Sequence, residues 1–488
     1  MTSRNTAGSV ACHKCRELVP YLSESCPCCG APGFNPPLLT PGVAEELVIG
    51  TPFVSASDFT HLHPRAAEIL KRYDGDLYLD AVESLTGSSA RALSQRHGNL
   101  SLNGLRKPSA AIISILARTN GGLRLAGVHH LSGPVAEALG HHPGQYLELN
   151  GLVRLTDAAA AGLAKHKGTI LSLDGISRIS ASVAQALARY RGILSLEGIS
   201  ELNERTAKAL IRHRGGGLRL GTLRHIDQAT AKALASYQGD LSLGFATDLG
   251  TSAASELSKH RGCLWIAGAD LLTSSTIEVM SRHSGPVLAL GHLHGVKKLS
   301  QKTRKASPNN TAHFWIGGIS NLSPETARSV IQHRKGKGAI HLVGTSELSP
   351  EAAEVLSGHR GALHLDGLRH IDAETASILS KYQGRLLSLG GLTALTPGTA
   401  RALSRYKGIL SLGGIETITT PIARALATHQ GPELRLEALR DVSTTPAMAL
   451  LQHEGRIVLS GVDAFPGPVI PMLSKRAERT KLAPWIRV

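Results

Sequence analysis

The sequence is poor in aromatic residues, in acidic residues and in long apolar runs. Phe, Trp and Tyr together make up 3% of its 488 residues. No run of 18 or more apolar residues occurs, which excludes a membrane-spanning helix. The N-terminus lacks the apolar segment of a secretory signal, so we expect a cytoplasmic protein that does not contact a membrane. Acidic residues number 37 against 53 lysines and arginines, and the net charge of +16 favours a negatively charged partner.

Glycine is abundant, with 52 residues, and much of it recurs at a regular interval. From about residue 52 to residue 460 one pattern returns every 23 or 24 residues, as in LSLDGISRISASVAQALARYRG (171–192) and LSLEGISELNERTAKALIRHRG (194–215). A repeat of this length is typical of a solenoid, in which each repeat packs against its neighbours. The sequence therefore predicts a long stack and not a set of separate globular cores.

Each repeat begins with an L-x-L segment, whose alternation is typical of a β-strand. A helix start follows. Ser323, Ser349 and Thr396 are each followed by a proline, and this pattern is typical of an N-cap residue followed by the first residue of a helix. Alanine and leucine three apart, such as Ala184 and Leu187, then share one helical face. We interpret the glycine that closes each repeat as a left-handed residue after about three helical turns.

The closing glycines give sixteen intervals between Gly75 and Gly455, and hence about 16–17 repeats in residues 51–460. The L-x-L strand and the repeat length resemble the leucine-rich-repeat family, in particular its Ala-rich bacterial variants. This resemblance implies an α/β solenoid, a right-handed stack of strand–helix repeats with one parallel sheet. The usual repeat has Asn or Cys shortly after L-x-L, whereas here that place holds Leu or Ile after a glycine, as in Gly175-Ile176.

Four of the six cysteines form two Cys-x-x-Cys pairs near the N-terminus. Thiolates at this spacing converge into the tetrahedral sulfur site that zinc prefers, and a site closed by four cysteines is structural. Redox chemistry or disulfides are the alternative, which a reducing compartment without a thioredoxin-like context disfavours. Residues 8–31 are similar to the short zinc ribbons of many bacterial proteins. We predict a structural Zn²⁺ bound by Cys12, Cys15, Cys26 and Cys29, and the sequence leaves open whether Cys28 replaces Cys29.

Two segments flank the repeats. Residues 32–50 are rich in proline and glycine and are interpreted as a linker. Residues 461–488 leave the repeat pattern and are interpreted as a C-terminal cap with a basic tail, because a solenoid must cover its last exposed core edge.

A histidine or tyrosine recurs near the end of each helix, which accounts for many of the 23 histidines. It occupies this position in fourteen of the sixteen repeats, and Arg96 and Thr119 are the exceptions. Because tyrosine is a poor replacement for a metal-binding imidazole, the exchange between the two rings favours packing with one hydrogen bond over metal binding or catalysis.

Many cations flank the same ring position, for example Arg189, Arg191, Arg212 and Arg214. Cations in a last helical turn favour the negative end of the helix dipole, so the repeat itself generates much of the charge. The same arrangement places a row of positive charge along one rim. Binding of nucleic acid or another polyanion, through this rim and the zinc ribbon, is therefore the alternative function.

The repeat pattern fails most clearly in residues 291–313, which lack the helical Ala-x-x-Leu and the closing glycine. An exposed loop in a degenerate repeat is one interpretation, and a mobile basic loop beside a binding surface is the other. The cations that make this segment basic are Lys297, Lys298, Lys302, Arg304 and Lys305.

The middle residue of each L-x-L faces out on the strand side of the stack. Trp265 and Trp315 occupy this position two repeats apart, and His341 and His364 continue the row. Exposed tryptophan is a common anchor of protein interfaces, and chance filling of the surface is the alternative. Since G-x-x-x-x-G-K-[ST], G-x-S-x-G and H-E-x-x-H motifs are absent, we expect a non-catalytic scaffold without a small-molecule cofactor, which binds a protein through its strand-lined face.

The zinc assignment predicts that Cys12→Ser or Cys29→Ser lowers the zinc bound per chain and unfolds residues 10–30, because the ion holds this segment together. Metal content would be measured by atomic emission, and the repeats would be followed by circular dichroism. Cys28→Ser is the matched control and should retain zinc. Equal zinc content in Cys29→Ser and the parent would refute the ligand assignment.

Overall fold

A computed structural model describes residues 9–11, 18–20, 28, 38–49, 53–56, 59–244, 249–267, 273–291, 313–317, 321–332 and 338–482. The chain divides into two compact halves. The N-terminal half comprises residues 1–223 and 237–242, and the C-terminal half comprises residues 224–236 and 243–488. Each half is an α/β stack of strand–helix repeats around a parallel sheet, which confirms the predicted leucine-rich-repeat-like solenoid fold.

In the N-terminal half, strands and helices alternate along the chain. They are β1 (Ser9–Ala11), β2 (Leu18–Pro20), β3 (Leu38–Leu39), α1 (Pro41–Val48), β4 (Phe53–Ser55), β5 (His61–Leu62), α2 (Pro64–Leu70), β6 (Asp76–Tyr78), α3 (Gly87–Ser94), β7 (Leu100–Ser101), α4 (Ala110–Leu116), β8 (Leu123–Arg124), α5 (Gly133–Gly140), β9 (Tyr146–Glu148), α6 (Asp157–Leu163), β10 (Ile170–Ser172), α7 (Ala181–Leu187), β11 (Ile193–Leu196), α8 (Glu204–Leu210) and β12 (Gly217–Leu220). β4 and β6 to β12 pair in parallel in sequence order. β1 and β2 form an antiparallel pair.

The boundary between the halves falls at β13 (Asp240–Leu243). The C-terminal half contains α9 (Gln228–Ala235), α10 (Thr251–Leu257), β14 (Leu264–Ile266), α11 (Ser274–Met280), β15 (Val287–Leu290), β16 (His313–Ile316), α12 (Pro324–Ile331), β17 (Ala339–Leu342), α13 (Pro350–Ser357), β18 (Leu363–His364), α14 (Ala373–Leu379), β19 (Leu386–Ser388), α15 (Pro397–Leu403), β20 (Ile409–Ser411), α16 (Thr420–Ala427), β21 (Glu433–Arg435), α17 (Thr444–Leu450), β22 (Arg456–Leu459), α18 (Ile470–Lys475) and β23 (Thr480–Leu482). β14 to β23 pair in parallel in sequence order.

The core of each half is a layer of small and branched apolar side chains between strands and helices. Both leucines of an L-x-L strand point inward, and Leu194 and Leu196 are fully buried. On the helix side, Ala207 and Leu210 of α8 are also fully buried. Each buried leucine contributes roughly 1.5–3 kcal/mol of transfer free energy, and the neighbouring repeats supply much of the surface that covers it.

The helix starts are as the sequence predicts, whereas the helices are shorter. The hydroxyls of Ser323, Ser349 and Thr396 each accept a hydrogen bond from the backbone N–H three residues later. The nitrogen–oxygen distances are 3.2, 3.2 and 3.1 Å. The repeat helices have only seven or eight residues, about two turns and not three. The chain leaves the helix early because it must place the following ring and closing glycine against the preceding repeat. No helix in the described part of the chain is long and apolar enough to cross a membrane.

The closing glycines serve close packing, and the left-handed interpretation was wrong. Among the described glycines, only Gly291 has a positive φ, 93°. A Cβ on Gly121 would lie 2.1 Å from the carbonyl oxygen of Gly98, and a Cβ on Gly431 would lie 1.9 Å from that of Gly408. Successive repeats therefore approach too closely at this point to admit any side chain.

Residues 38–49 are folded, which corrects the predicted linker. β3 pairs with β5, α1 packs against α2, and Leu39 and Ala44 are fully buried. Thr40 is the N-cap and Pro41 the first helical residue, as at the start of several repeat helices. The proline therefore begins a helix here. α1 thereby covers apolar surface of the first repeat.

The C-terminal segment adds one more strand to the sheet of its half. After short 3₁₀ turns and α18, β23 pairs in parallel with β22. Val469 and Leu473 are at most 1% exposed, so this segment covers the apolar surface that the last helical repeat leaves open.

The glycine contact predicts a steric penalty for a single methyl group. Gly121→Ala should lower the free energy of unfolding by about 2–4 kcal/mol, because the contacted atom is a backbone carbonyl that cannot move aside without shifting the repeat. Gly87→Ala is the control, since a Cβ there would meet only the end of the Arg91 side chain at 3.9 Å. Urea denaturation would measure both, and equal stabilities would contradict the packing role.

Candidate binding surface

The middle residues of the strands form a polar ladder in the N-terminal half, and its serines are buried. Ser195 Oγ donates to Asp174 Oδ1 at 2.6 Å, and the N–H of Glu197 donates to the same oxygen at 2.8 Å. One repeat earlier, Ser172 Oγ and the N–H of Asp174 both donate to Asn150 Oδ1, at 2.7 and 3.0 Å. Each acid or amide thus holds the next repeat in register.

Sequence reasoning missed this ladder. It sought the usual turn-bonding side chain further along the repeat, where Gly175-Ile176 stands. The ladder residue comes directly after L-x-L instead, as with Asp80, whose carboxylate accepts from Ser101 Oγ at 2.5 Å and from the N–H of Asn103 at 3.0 Å. The available signal was an Asp or Asn after the strand followed by a serine 21 or 22 residues later.

In the C-terminal half, the same strand positions carry an aromatic row, defined as Trp265, Trp315, His341 and His364. Strand register aligns Trp265 with Ala289, Ala289 with Trp315, Trp315 with His341, and His341 with His364. Both tryptophans are partly exposed, while Ala289 between them is fully buried. The structure therefore places the four predicted residues on one side of five consecutive strands.

Three members of the aromatic row form a continuous ring stack. The Trp315 and His341 rings are 3.6 Å apart and nearly parallel, with an angle of 4° between their planes. His341 and His364 stack at 4.1 Å and 17°. Trp265 has no ring contact within the described residues, because Ala289 intervenes. The stack restrains the Trp315 indole before any partner arrives.

His313, at the start of β16, joins the stack from beside it. Its Nδ1 lies 3.0 Å from His341 Nε2, so the two imidazoles share one hydrogen bond. Burial lowers the pKa of His341 well below its ordinary value, and electrostatic repulsion from His364 and His313 lowers it further. Burial also lowers the pKa of His313. Both rings are therefore neutral near pH 7, so they add no charge to the surface beside Trp315.

Asp366 fixes the outer end of the stack. Its Oδ2 lies 3.6 Å from His364 Nδ1, and its Oδ1 accepts from Ser388 Oγ at 2.6 Å and from the N–H of Gly390 at 2.8 Å. Burial alone would raise the pKa of Asp366, but the nearby His364 ring and the hydrogen bonds from Ser388 and Gly390 outweigh it and lower this pKa. The ionised carboxylate thus holds the His364 ring in its stacked orientation.

The other predicted site residues lie outside the described part of the chain. They are the four cysteines Cys12, Cys15, Cys26 and Cys29 and the five cations Lys297, Lys298, Lys302, Arg304 and Lys305. Cys28 is described and exposed. Among the described residues, no group of three or more His, Cys, Asp or Glu side chains is arranged to hold a metal ion. The zinc ribbon stays a prediction.

Comparison with known proteins yields only weak likenesses. No protein-family model and no curated protein matches this sequence. Among solved structures, the yeast Rad7–Elc1 complex shares 13% identity over 70% of this chain and 86% of the other, with a TM-score of 0.34. An internalin (InlF) of Listeria monocytogenes shares 13% over 84% and 92%, with a TM-score of 0.30. The Drosophila Toll–Spätzle complex shares 12% over 82% and 56%, with a TM-score of 0.32. The fold assignment therefore rests on the strand–helix repeats themselves.

The recurring His and Tyr side chains form a buried ring column, which confirms their packing role. In the N-terminal half, His142, His166, Tyr190, His213 and Tyr237 stack with centroids 5.7–6.2 Å apart. Tyr190 Oη donates to the carbonyl oxygen of Gly168 at 2.8 Å, one repeat back. Each described ring therefore covers the backbone of the preceding repeat.

Arginine fills this column in two places. Arg96 is fully buried, and its guanidinium donates to the carbonyl oxygens of Gly98 and Asn99 at 2.9 and 2.6 Å and also to those of Tyr73 and Gly75. Burial lowers the pKa of Arg96 to about 10. Arg476 donates in the same way to the carbonyls of Leu451 and Gly455, at 2.5 and 2.8 Å. Both side chains satisfy backbone acceptors where the helices end.

The ring column predicts a loss of stability in mild acid. Burial lowers the pKa of His166 and of His429 to about 4, while an unfolded histidine titrates near 6.5. Between these values the unfolded chain binds protons that the folded chain does not. Stability is therefore full above about pH 6.5 and is lost as the pH falls toward 4, by about 2–3 kcal/mol for each such ring.

Thermal melts near neutral pH and near pH 5 would measure this loss. The double variant His166→Tyr/His429→Tyr should show a smaller drop in melting temperature, because tyrosine fills the same position elsewhere and does not titrate in this range. An undiminished drop in the double variant would exclude the buried imidazoles as its source.

Proposed function

We propose that this chain is a non-catalytic scaffold that binds another protein through the aromatic row. The observation that supports the proposal most directly is the Trp315 indole, which is partly exposed and stacked flat on His341 at 3.6 Å. Tryptophan is the side chain most enriched among residues that dominate protein interfaces. Here it lies on a sheet, among neutral rings, and not on an adaptable loop.

Preorganisation supports a role in binding. His341 fixes one face of Trp315, while Asp366 holds His364 behind it. A partner that contacts Trp315 therefore does not need to immobilise it, and less conformational entropy is lost on association. Trp265 extends the apolar surface across Ala289.

The basic segment extends this proposal to the chemistry of the partner. Leu290 ends β15 and His313 begins β16; these two strands pair directly, and β16 carries Trp315. The five cations between them, from Lys297 to Lys305, thus belong to the segment that joins two strands of the row. We infer a partner whose contact patch is apolar at its centre and acidic at its edge.

Trp315→Ala should weaken binding of the protein partner by at least about 30-fold, because loss of a central tryptophan typically costs 2 kcal/mol or more. The partner would be captured from a native extract, purified and titrated by calorimetry. The dissociation constant should rise only moderately with salt, because salt screens the acidic edge of the contact but not its apolar centre.

Met448→Ala is the matched control, since Met448 is an exposed apolar side chain of the same half, 38% exposed, on α17. It should bind the partner like the parent. Equal weakening by both substitutions, or none by Trp315→Ala, would contradict the aromatic row as the contact surface. A steep fall of partner binding with salt would favour the polyanion alternative.

A further inference from the structure

A basic groove follows the rim of the C-terminal half where α14 and α15 end. Its volume is about 890 Å³. Four exposed cations line it: Lys381, Arg385, Arg405 and Lys407. No aspartate or glutamate stands among the described residues that line it. The described lining of the groove therefore concentrates positive charge and contains no carboxylate of its own.

The repeat spaces these cations regularly. Lys381 directly precedes Tyr382, and Arg405 and Lys407 directly flank Tyr406. The two tyrosine rings stack with centroids 5.8 Å apart, so each repeat advances the cations by about one ring step along the rim. Tyr382 and Tyr406 are themselves buried, and their hydroxyls donate to glycine carbonyls of the preceding repeats. The groove thus exposes charge and not aromatic faces.

Hydrogen bonding to the ends of helices does not occupy these four side chains. Where this protein uses a cation to satisfy the ends of helices, the guanidinium is hydrogen-bonded to carbonyl oxygens, as in Arg96 and Arg476. In the described structure, the charged ends of Lys381, Arg385, Arg405 and Lys407 have neither a carbonyl acceptor nor a carboxylate partner. They are available to a ligand.

We propose that this groove binds the phosphate backbone of a single-stranded nucleic acid. Four cations spread along two successive repeats match a linear array of negative charges better than one isolated phosphate. Arginine and lysine are the side chains that contact phosphate most often, and the exposed amides of Gln383 and Gln430 add further hydrogen-bonding groups. A recessed groove admits a strand, whereas a flat bilayer surface would not reach its floor.

The buried tyrosines determine the mode of binding. Base stacking on aromatic rings is the usual source of affinity beyond charge in single-strand binding, and this groove exposes no ring for it. Contacts are therefore confined to phosphates. Binding should be insensitive to base sequence and should fall steeply with salt.

Fluorescence anisotropy with labelled 20-mer oligonucleotides, thymidine-only and of mixed sequence, would test the proposal on the full chain. Four phosphate contacts predict a slope of about −3 for the logarithm of the binding constant against that of salt concentration. The double variant Arg405→Gln/Lys407→Gln should halve this slope and weaken binding about tenfold or more near 0.1 M salt. The two oligonucleotides should bind alike.

Lys259→Gln/Arg282→Gln is the matched control. These cations flank rings of the same column in the same half, and their substitution removes the same charge. Each is paired with an acid of the helix just before it, Glu256 at 2.9 Å and Glu278 at 3.4 Å. The control should bind like the parent, as should Trp315→Ala, which separates this site from the aromatic row. Equal weakening by both double variants would overturn the groove, and so would binding to phosphatidylserine vesicles but not to oligonucleotides.

Discussion

Contact between the backbones of successive repeats is the constraint on which the rest of the structure depends. At the closing glycines, a single methyl group would collide with the carbonyl oxygen one repeat back, at about 2 Å. Because the backbones meet here, the side chain two residues before the closing glycine packs against the preceding repeat. A planar ring or a guanidinium fills most of these positions, with Thr119 as an exception. The side chains next to the ring then point to solvent, and many of them are cationic.

The same step from repeat to repeat produces two surfaces of different chemistry. On the strand side, it aligns single side chains into continuous rows, polar in the Ser195–Asp174 ladder and aromatic around Trp315. On the rim, it aligns cations. Lys259 and Arg282 are each paired with a glutamate, whereas Arg405 and Lys407 have no carboxylate partner among the described residues. A small difference in the repeat, such as an acid three or four residues earlier, decides whether the rim is available to an anion.

Periodicity allowed the architecture to be predicted from the sequence, and the departures have identifiable causes. Strand positions, helix caps at Ser323 and Thr396, and the register of Trp315 with His341 all depend on local patterns that repeat. The reason for the closing glycines could not be read locally, since it lies in the carbonyl of another repeat. His313 was missed because it stands outside L-x-L, and only the hydrogen bond to His341 brings it to the row.

Direct pairing of β15 with β16 has a consequence for how this protein can change. The 22 residues between Leu290 and His313 are close in number to the 20 that join Ser172 of β10 to Ile193 of β11, and β15 and β16 pair in ordinary register, with Ala289 opposite Trp315. The sheet can therefore tolerate one repeat whose sequence departs from the common pattern, as residues 291–313 do, while the register that sets Trp315 beside His341 is kept.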